Sequence, residues 1–517
     1  MKYIVRGFIC LASAAGALLA AGTAFAADAD LAARARGHFD RFAAIHDEWM
    51  TNAIPDSAAA DFLLGNVPLF ECPDAEIETT YYFRWWTFRK HLFKSLGGWC
   101  VSEFMDARAI SCPVGHHIRE GRWLRDRSII DDYTRYWFKK GANPIHGPGS
   151  YVNWIVRALL WREEVTGDTA LADGLLDDLV ANYEAWEKGW KARPWPKEGM
   201  YEMGLKPDGL FHDVDDREGT ELTLSGNGAR VHVNAIMYGE AKGIAKIAAR
   251  CGRADVAAAF EARAARLEKL VKERLWNEEL GFFTPLGDDG RLSAVCELHG
   301  YTPWLAGMPL EGKYAAAWRY FNDAKDGFRA QYGLTFPVQS APGFRISYEG
   351  HGCQWNGPSW PFATSVALTA LADSIHAGAR LPVGRAEWFD AFRRYALQHR
   401  QTRADGSRVP WIDEVQDPYT GDWIAYRRWQ SRNYAYNHST FCDLVISGLV
   451  GLKVAADGQV TADPIIPDDW DRFRLANVPV RGRLVTVTFD RDGSHYDEGK
   501  GLRIASRDYE GQVSLID

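Results

Sequence analysis

Residues 231–276 read VHVNAIMYGEAKGIAKIAARCGRADVAAAFEARAARLEKLVKERLW. Their apolar spacing predicts one helix over 231–251 and a second over 254–276. The break between them, Gly252-Arg-Ala-Asp255, is short and polar, so the two helices fold back as a hairpin. The same rhythm runs along the chain without a tight sequence repeat. Stretches 151–166 and 171–191 pair before it, and helices over 313–321, 361–375, 386–399 and 438–454 come after it. Long irregular loops rich in Trp, Gly and Pro lie between, at 194–211, 277–293, 323–360 and 401–437. Helical hairpins joined by long loops at one end predict a mainly α chain, an (α/α)6 toroid. No β-α-β alternation is visible, which argues against a TIM barrel or a doubly wound sheet.

Outside this array, a helix is expected over 31–51, broken by Pro55 and Asp56. Another is expected over 75–96, containing Tyr81-Tyr-Phe-Arg-Trp-Trp-Thr-Phe-Arg-Lys-His91. Its sides differ little in polarity, so it is expected to be buried all round. Arg84 and Arg89 must then find partners, because unpaired buried charge is costly. After 452 the composition changes. Strands over 458–461, 483–489 and 501–504, with turns at Asp457–Gly458 and Asp492–Gly493, predict a small β-module over 453–517.

The chain has 517 residues and a formal net charge of −8, with its basic residues spread out, which speaks against a nucleic-acid partner. Its 21 Trp and 21 Tyr belong either to the core or to a cleft where flat rings stack on sugars. Residues 1–26 read as a secretory signal: Lys2 and Arg6, an apolar run, then the small-x-small site Ala24-Phe-Ala26. The expected location is outside the cytoplasm, in a periplasm, and no later stretch is apolar enough to span a membrane. The seven remaining cysteines show no C-x-x-C spacing, so no metal site is expected, and no cofactor. Cys72, Cys100 and Cys112 are close enough in sequence to allow one bridge, whose pairing is left open.

The chemistry is concentrated in two acidic segments. Phe211-His-Asp-Val-Asp-Asp-Arg-Glu-Gly-Thr-Glu-Leu-Thr-Leu-Ser-Gly226 carries Asp213, Asp215, Asp216, Glu218 and Glu221, and is followed by Arg230. A solvated turn can be this acidic, but rarely ends in small and apolar residues. The second segment is Val409-Pro-Trp-Ile-Asp-Glu-Val-Gln-Asp-Pro-Tyr-Thr-Gly-Asp-Trp423, with Asp413 and Glu414 following an apolar stretch. Glycoside hydrolysis needs two such carboxyls, one to protonate the leaving oxygen and one to activate water or attack. Between them lies Cys353-Gln-Trp-Asn-Gly-Pro-Ser-Trp-Pro-Phe362, whose Trp355 and Trp360 are either core plugs or a sugar platform. His116 and His117, expected just before a helix, are candidates for hydrogen bonds to substrate.

Trp355-Asn-Gly-Pro-Ser-Trp360 resembles the W-R-G-P-x-W segment of the inverting α-glycosidases that include trehalase, mannosyl-oligosaccharide glucosidase and mannosylglycerate hydrolase. Glu414-Val-Gln-Asp-Pro-Tyr-Thr-Gly421 resembles their E-x-x-x-P-x-T-G segment, whose Glu is the general base. Arg217-Glu-Gly-Thr-Glu-Leu-Thr223 is similar to their S-G-x-D-x-S loop, whose Asp is the general acid. The resemblance implies an exo-acting, inverting hydrolase of an α-linked sugar in an oligosaccharide or glycoside. It implies Glu221 as acid and Glu414 as base. The family acid is Asp, so Asp216 is the second candidate for proton donor. Arg84, Trp86, His116, His117, Arg230, Trp355, Asn356, Trp360 and Asp413 are expected to shape the sugar site. Two rivals remain: a toroidal polysaccharide lyase using Arg432-Asn-Tyr-Ala-Tyr-Asn-His438, and a glycan binder without catalysis.

Overall fold

The structure, a computed structural model, describes residues 14–48, 50–95, 97–138, 151–192, 200–214, 223–346, 354–424, 434–508 and 513–515. Along the chain come α1 (Ala14–Ile45), α2 (Asp56–Asn66), α3 (Ala75–Lys90), α4 (Val114–Gly121), α5 (Ser128–Tyr136), α6 (Ile155–Thr166) and α7 (Ala170–Gly174). They are followed by α8 (Leu176–Lys188), α9 (Val231–Arg250), α10 (Ala254–Leu270), α11 (Thr302–Leu305), α12 (Pro361–His376), α13 (Arg385–Gln398) and a π-helix, Leu444–Leu449.

The hairpin that opened the sequence reading shows how inner and outer helices differ. α9 is buried along almost its whole length, whereas α10 buries only Phe260, Ala264 and Leu267. A helix covered on all sides is inner, and one with a single apolar stripe is outer. The small residues of α9 allow its neighbours to approach closely: a Cβ on Gly243 would stand 2.5 Å from Val156 Cγ1 of α6. Packing then runs round a ring: α4 on α6, α6 on α9, α9 on α11, α11 on α12, and α12 on the π-helix. α8 and α10 pack outside α9, and α13 outside α12.

The ring closes through a carboxylate clasp. Glu120 of α4 accepts the backbone N–H groups of Phe441, Cys442 and Asp443, at 2.8–3.1 Å. Asp443 in return accepts from Arg119 at 2.6 Å and from Arg122 and Trp123 Nε1 at 2.8 Å. Burial alone would raise the Asp443 carboxyl; the two arginines outweigh it and hold it down to about 2. Breaking such a buried pair from one side exposes the full desolvation cost of the other charge.

The C-terminal part is a hairpin, Leu452–Val454 with Val460–Ala462, and an antiparallel five-stranded sheet. In that sheet Arg472–Val480 pairs with Arg483–Asp490, then Gly501–Asp508, then Val513–Leu515. Its other edge is Leu69–Glu71, paired with 474–476, so the sheet is built from both ends of the chain. Arg474, nearly fully buried, also holds Asp28 of α1 at 3.0 Å. Among the described residues no helix is long and apolar enough to cross a membrane.

Several expected boundaries move. The helix expected over 75–96 stops at Lys90, because Leu92–Ser95 turns into a hairpin with Gly98–Val101. Pro55 and Asp56 start α2 rather than merely breaking a helix: Pro55 is its N-cap and Asp56 its first residue. His116 and His117 lie inside α4, not before it. Cys72 leaves the possible disulfide trio as a buried thiol donating to the Asp74 carbonyl.

The core contains an unusual set of neutral imidazoles. Burial lowers His46 and His91 to about 4 and His117 to about 3, and takes His116, His399 and His438 well below the usual value of 6.5. Unfolding releases them to their ordinary values, so below pH 6.5 the unfolded chain binds more protons and the native state loses stability as pH falls. Each such group contributes up to about 1.4 kcal/mol per pH unit until its folded value is reached. The expected outcome is a melting temperature that falls between pH 7 and pH 5 with net proton uptake on unfolding. A flat melting profile over that interval contradicts it.

Candidate active site

The inner segments all start at the same end of the ring, and each start delivers an aromatic or imidazole side chain. α4 supplies His116, the N-cap of α6 is Trp154, α9 supplies His232, and the 3-10 turn Leu298–Tyr301 before α11 supplies His299. α12 begins with Trp360 as N-cap and Phe362, and His438 precedes the π-helix. Phe362 is the hub. Its ring centroid lies 4.6 Å from His116, 5.7 Å from His438 and 5.9 Å from Trp154. It also lies about 6 Å from each of His232, His299 and Trp355. His232 and His299 stack at 3.9 Å, and Trp355 stacks on Trp360 at 3.8 Å. The helix N-termini gathered here carry partial positive charge, which favours ionised carboxylates at this end.

The Trp355–Trp360 segment and the Glu414 segment are stitched together. Ser359 and Gln416 exchange backbone hydrogen bonds of 2.9 and 3.0 Å. Gln398 donates to Ser359 Oγ at 2.8 Å and its carbonyl accepts from Gln416 Nε2 at 3.1 Å. Gly357 is dictated by contact: a Cβ there would stand 2.1 Å from the Arg345 carbonyl. Glu414 is 6 % exposed and Asp413 fully buried, with Asp413 Oδ1 accepting the Glu414 N–H at 2.6 Å. The Tyr436 hydroxyl lies 3.2 Å from Glu414 Oε1 and 2.7 Å from Glu103 Oε1. The Tyr436 ring stands edge-on to His438 at 4.1 Å, which ties the carboxylate to the aromatic hub.

The acidic loop is held at both of its described ends. Asn234 of α9 accepts from Phe211 N–H and donates to the Phe211 carbonyl, both at 2.8 Å, which anchors strand Phe211–Asp213. Asp213 is fully buried, with Oδ1 accepting from Val214 N–H. On the far side Glu297 accepts from Leu224 N–H, Ser225 N–H and Ser225 Oγ. Arg230 donates to Ser225 Oγ at 2.8 Å and to the Gly226 carbonyl, and lies 3.9 Å from Glu297. Arg230 therefore fastens the loop. Asp215, Asp216, Glu218 and Glu221 lie outside the described residues.

The structure thus brings together His116, Trp355, Trp360, Asp413 and Glu414, with Arg230 on the neighbouring loop. Asn356, 3 % exposed, sits among them, its carbonyl accepting from Arg345 N–H. Three expected sugar contacts are corrected. Trp86 is packed between Phe42, His46 and Phe83, under the cations of Arg89 and Lys90, on the α1 side of α3. His117 spends both ring nitrogens inside the protein, on Tyr133 Oη and the Asn437 carbonyl. Arg84 is 2 % exposed and bonds His399 Nε2, Ser439 Oγ and the Ser439 carbonyl. It braces the turn that carries His438.

Sequence reasoning missed Glu103, Glu297, His232 and His299 as members of this neighbourhood. The available signal was a lone carboxylate in a short apolar run, as in Val101-Ser-Glu-Phe-Met105 and Val295-Cys-Glu-Leu-His299. Tyr436 and His438 were noticed only in the lyase reading.

A closed ring of helices with aromatic floor and buried carboxylates at one end is the architecture of a six-hairpin glycosidase. Residues 106–439 match the model of the mannosylglycerate hydrolase MGH1-like glycoside hydrolase domain, and the chain belongs to that family of glycoside hydrolases. Residues 452–512 match the glycosyl hydrolase family 65 C-terminal domain. Among solved structures, one described as a sialidase is 33% identical over 93% of this chain, with a TM-score of 0.84. This chain spans 43% of that protein. A family GH78 rhamnosidase of Bacillus sp. GL1 covers 82% of this chain at 17% identity, with a TM-score of 0.56, over 40% of its own length. The Streptomyces avermitilis α-L-rhamnosidase covers 85% at 12% identity, with a TM-score of 0.52, over 37% of its own length. At these identities the two rhamnosidases share the fold. Membership in that family favours the hydrolase expectation over the lyase rival.

Proposed function

We propose that this chain is an exo-acting, inverting glycosidase of an α-linked sugar, with Glu414 as general base. The observation that carries the reading is a buried carboxylate, Glu414, joined through Tyr436 and His438 to an aromatic hub. Glu221, on the loop fastened by Arg230 and Glu297, is the proposed general acid, with Asp216 second. The acid's proton goes to the glycosidic oxygen as its bond to the anomeric carbon breaks. Glu414 takes a proton from water as that water attacks the opposite face of the ring. Exo action is the expectation carried by the family resemblance, and the rings gathered round Phe362 support stacking on a single terminal sugar. Residues 1–26 support export, with a periplasmic location, and the ring would then occupy 27–452 of the mature chain ahead of the β-module at 453–517.

The substrate is sought in a panel of α-glucosides, α-mannosides, mannosylglycerate, α-rhamnosides, arabinosides, sialosides and trehalose, followed by NMR of the first-formed anomer. Release of a monosaccharide with inverted configuration is the expected result. Retention of configuration rejects the base assignment, because a retaining enzyme uses that carboxylate as nucleophile.

A further inference from the structure

Behind Glu414 the structure holds a second carboxylate joined to it by one hydroxyl. Tyr436 Oη is 2.7 Å from Glu103 Oε1 and 3.2 Å from Glu414 Oε1, and all three residues are at most 6 % exposed. A phenol carries one proton and cannot donate to both carboxylates at once. The shorter contact assigns that proton to Glu103. Glu414 then faces the oxygen's acceptor side, which suits a carboxyl that has just gained a proton.

The supporting framework fixes this arrangement. The Glu103 carbonyl accepts from Asn437 N–H at 3.0 Å, and Asn437 Nδ2 donates to the Ser102 carbonyl at 3.2 Å. Phe104 packs edge-on to the Tyr436 ring at 5.0 Å. His91 Nε2 donates to the Ala435 carbonyl at 2.6 Å. Ala435 itself has φ of 57°, a left-handed conformation that a non-glycine residue keeps only where its surroundings enforce it.

We propose that Tyr436 and Glu103 form a proton relay that resets Glu414 after each turnover, an inference that rests on Glu414 being the base. Protonated Glu414 passes its proton to Tyr436 Oη while Tyr436 passes its own proton to Glu103. Two O–H bonds break and two form, the phenol ends neutral, the negative charge returns to Glu414, and the proton rests on Glu103. The base is regenerated without water entering the space that the product still fills. Once product leaves and water re-enters, the proton returns through Tyr436 and passes from Glu414 to that water, so both carboxylates end ionised. Glu103 and Tyr436 are positioning residues for the proton, apart from the atoms of the sugar. Among the described residues, the charged and titratable groups around Glu414 include Asp413 on the same segment, Tyr436 and Glu103 behind it, and His438 beside Tyr436, held neutral by burial.

The test uses the full chain and the glycoside that the panel identifies. Glu103→Gln and Tyr436→Phe are each expected to lower kcat by about 10- to 100-fold with KM within twofold. The double variant is no slower than either single one, because both break one path. In Glu103→Gln the loss of a neighbouring negative charge lowers the proton affinity of Glu414, so the acidic limb of kcat moves to lower pH. Glu103→Asp, which keeps a carboxylate, recovers part of the rate. Wild-type kcat and an unmoved limb in Glu103→Gln, or losses that multiply in the double variant, overturn the relay. If Glu103→Gln does not fold, Tyr436→Phe, which removes a single oxygen, decides alone by its kcat. Activity in Glu414→Gln would instead sink the base reading itself, so the two failures are distinct.

Discussion

Glu414→Gln is expected to yield a folded protein whose kcat is lower by roughly a thousand-fold, the usual worth of a general base. The substitution keeps shape and hydrogen-bonding capacity, and its amide N–H can donate to the Tyr436 oxygen, so the melting temperature should stay close to wild type. What is lost is the ability to take a proton from the attacking water. Azide attacks without giving up a proton, and adding it should restore turnover to the variant and form a glycosyl azide. Steady-state rates with and without azide, alongside thermal melts, make the check. A kcat within tenfold of wild type would remove Glu414 from the base role.

The second large effect distinguishes the two candidate acids. Glu221→Gln should cost roughly a thousand-fold on an alkyl glycoside, whose departing alkoxide must be protonated. On an aryl glycoside with an acidic phenol the same variant should lose far less, because that group departs without a proton. Asp216→Asn should depress both substrates equally, if at all. Measuring kcat/KM for both variants on both substrates assigns the donor. Leaving-group dependence in Asp216→Asn and its absence in Glu221→Gln would reverse the order. The contrast is independent of folding, since each variant serves as its own control across substrates.

The toroid was legible because its inner and outer helices differ in composition. The small apolar residues of 231–251 and the single stripe of 254–270 are both visible in the sequence and both decided by what each helix touches. Helix ends were less legible where a tertiary partner decides them. Lys90 ends α3 because the next residues pair with Gly98–Val101, and the last inner helix starts late because Asn437 and Ser439 are held by Glu103 and Arg84. Strand Arg472–Val480 escaped notice since Pro479, Asn477 and two arginines interrupt its alternation; Asn477, at φ of 63°, sits where the register shifts between Leu475 and Val478. The proposal for Glu414 comes from its local motif. Glu103 was not readable in this way, because its relation to Tyr436 spans 333 residues. Arg84 and Trp86 were misplaced for a related reason: aromatic and cationic richness on a helix does not say which neighbour it meets.

The clasp between Glu120 and 441–443, and the sheet edge formed by Leu69–Glu71, bear on how the chain is made. As the polypeptide leaves the ribosome, hairpins such as α9 and α10 can form from local contacts alone. The ring cannot shut until residues 441–443 have emerged, and the early edge strand has no sheet to join until Arg472–Val480 has. A product cut short before Phe441 therefore carries the acidic loop and the Trp355–Trp360 segment without the clasp that shuts the ring around them.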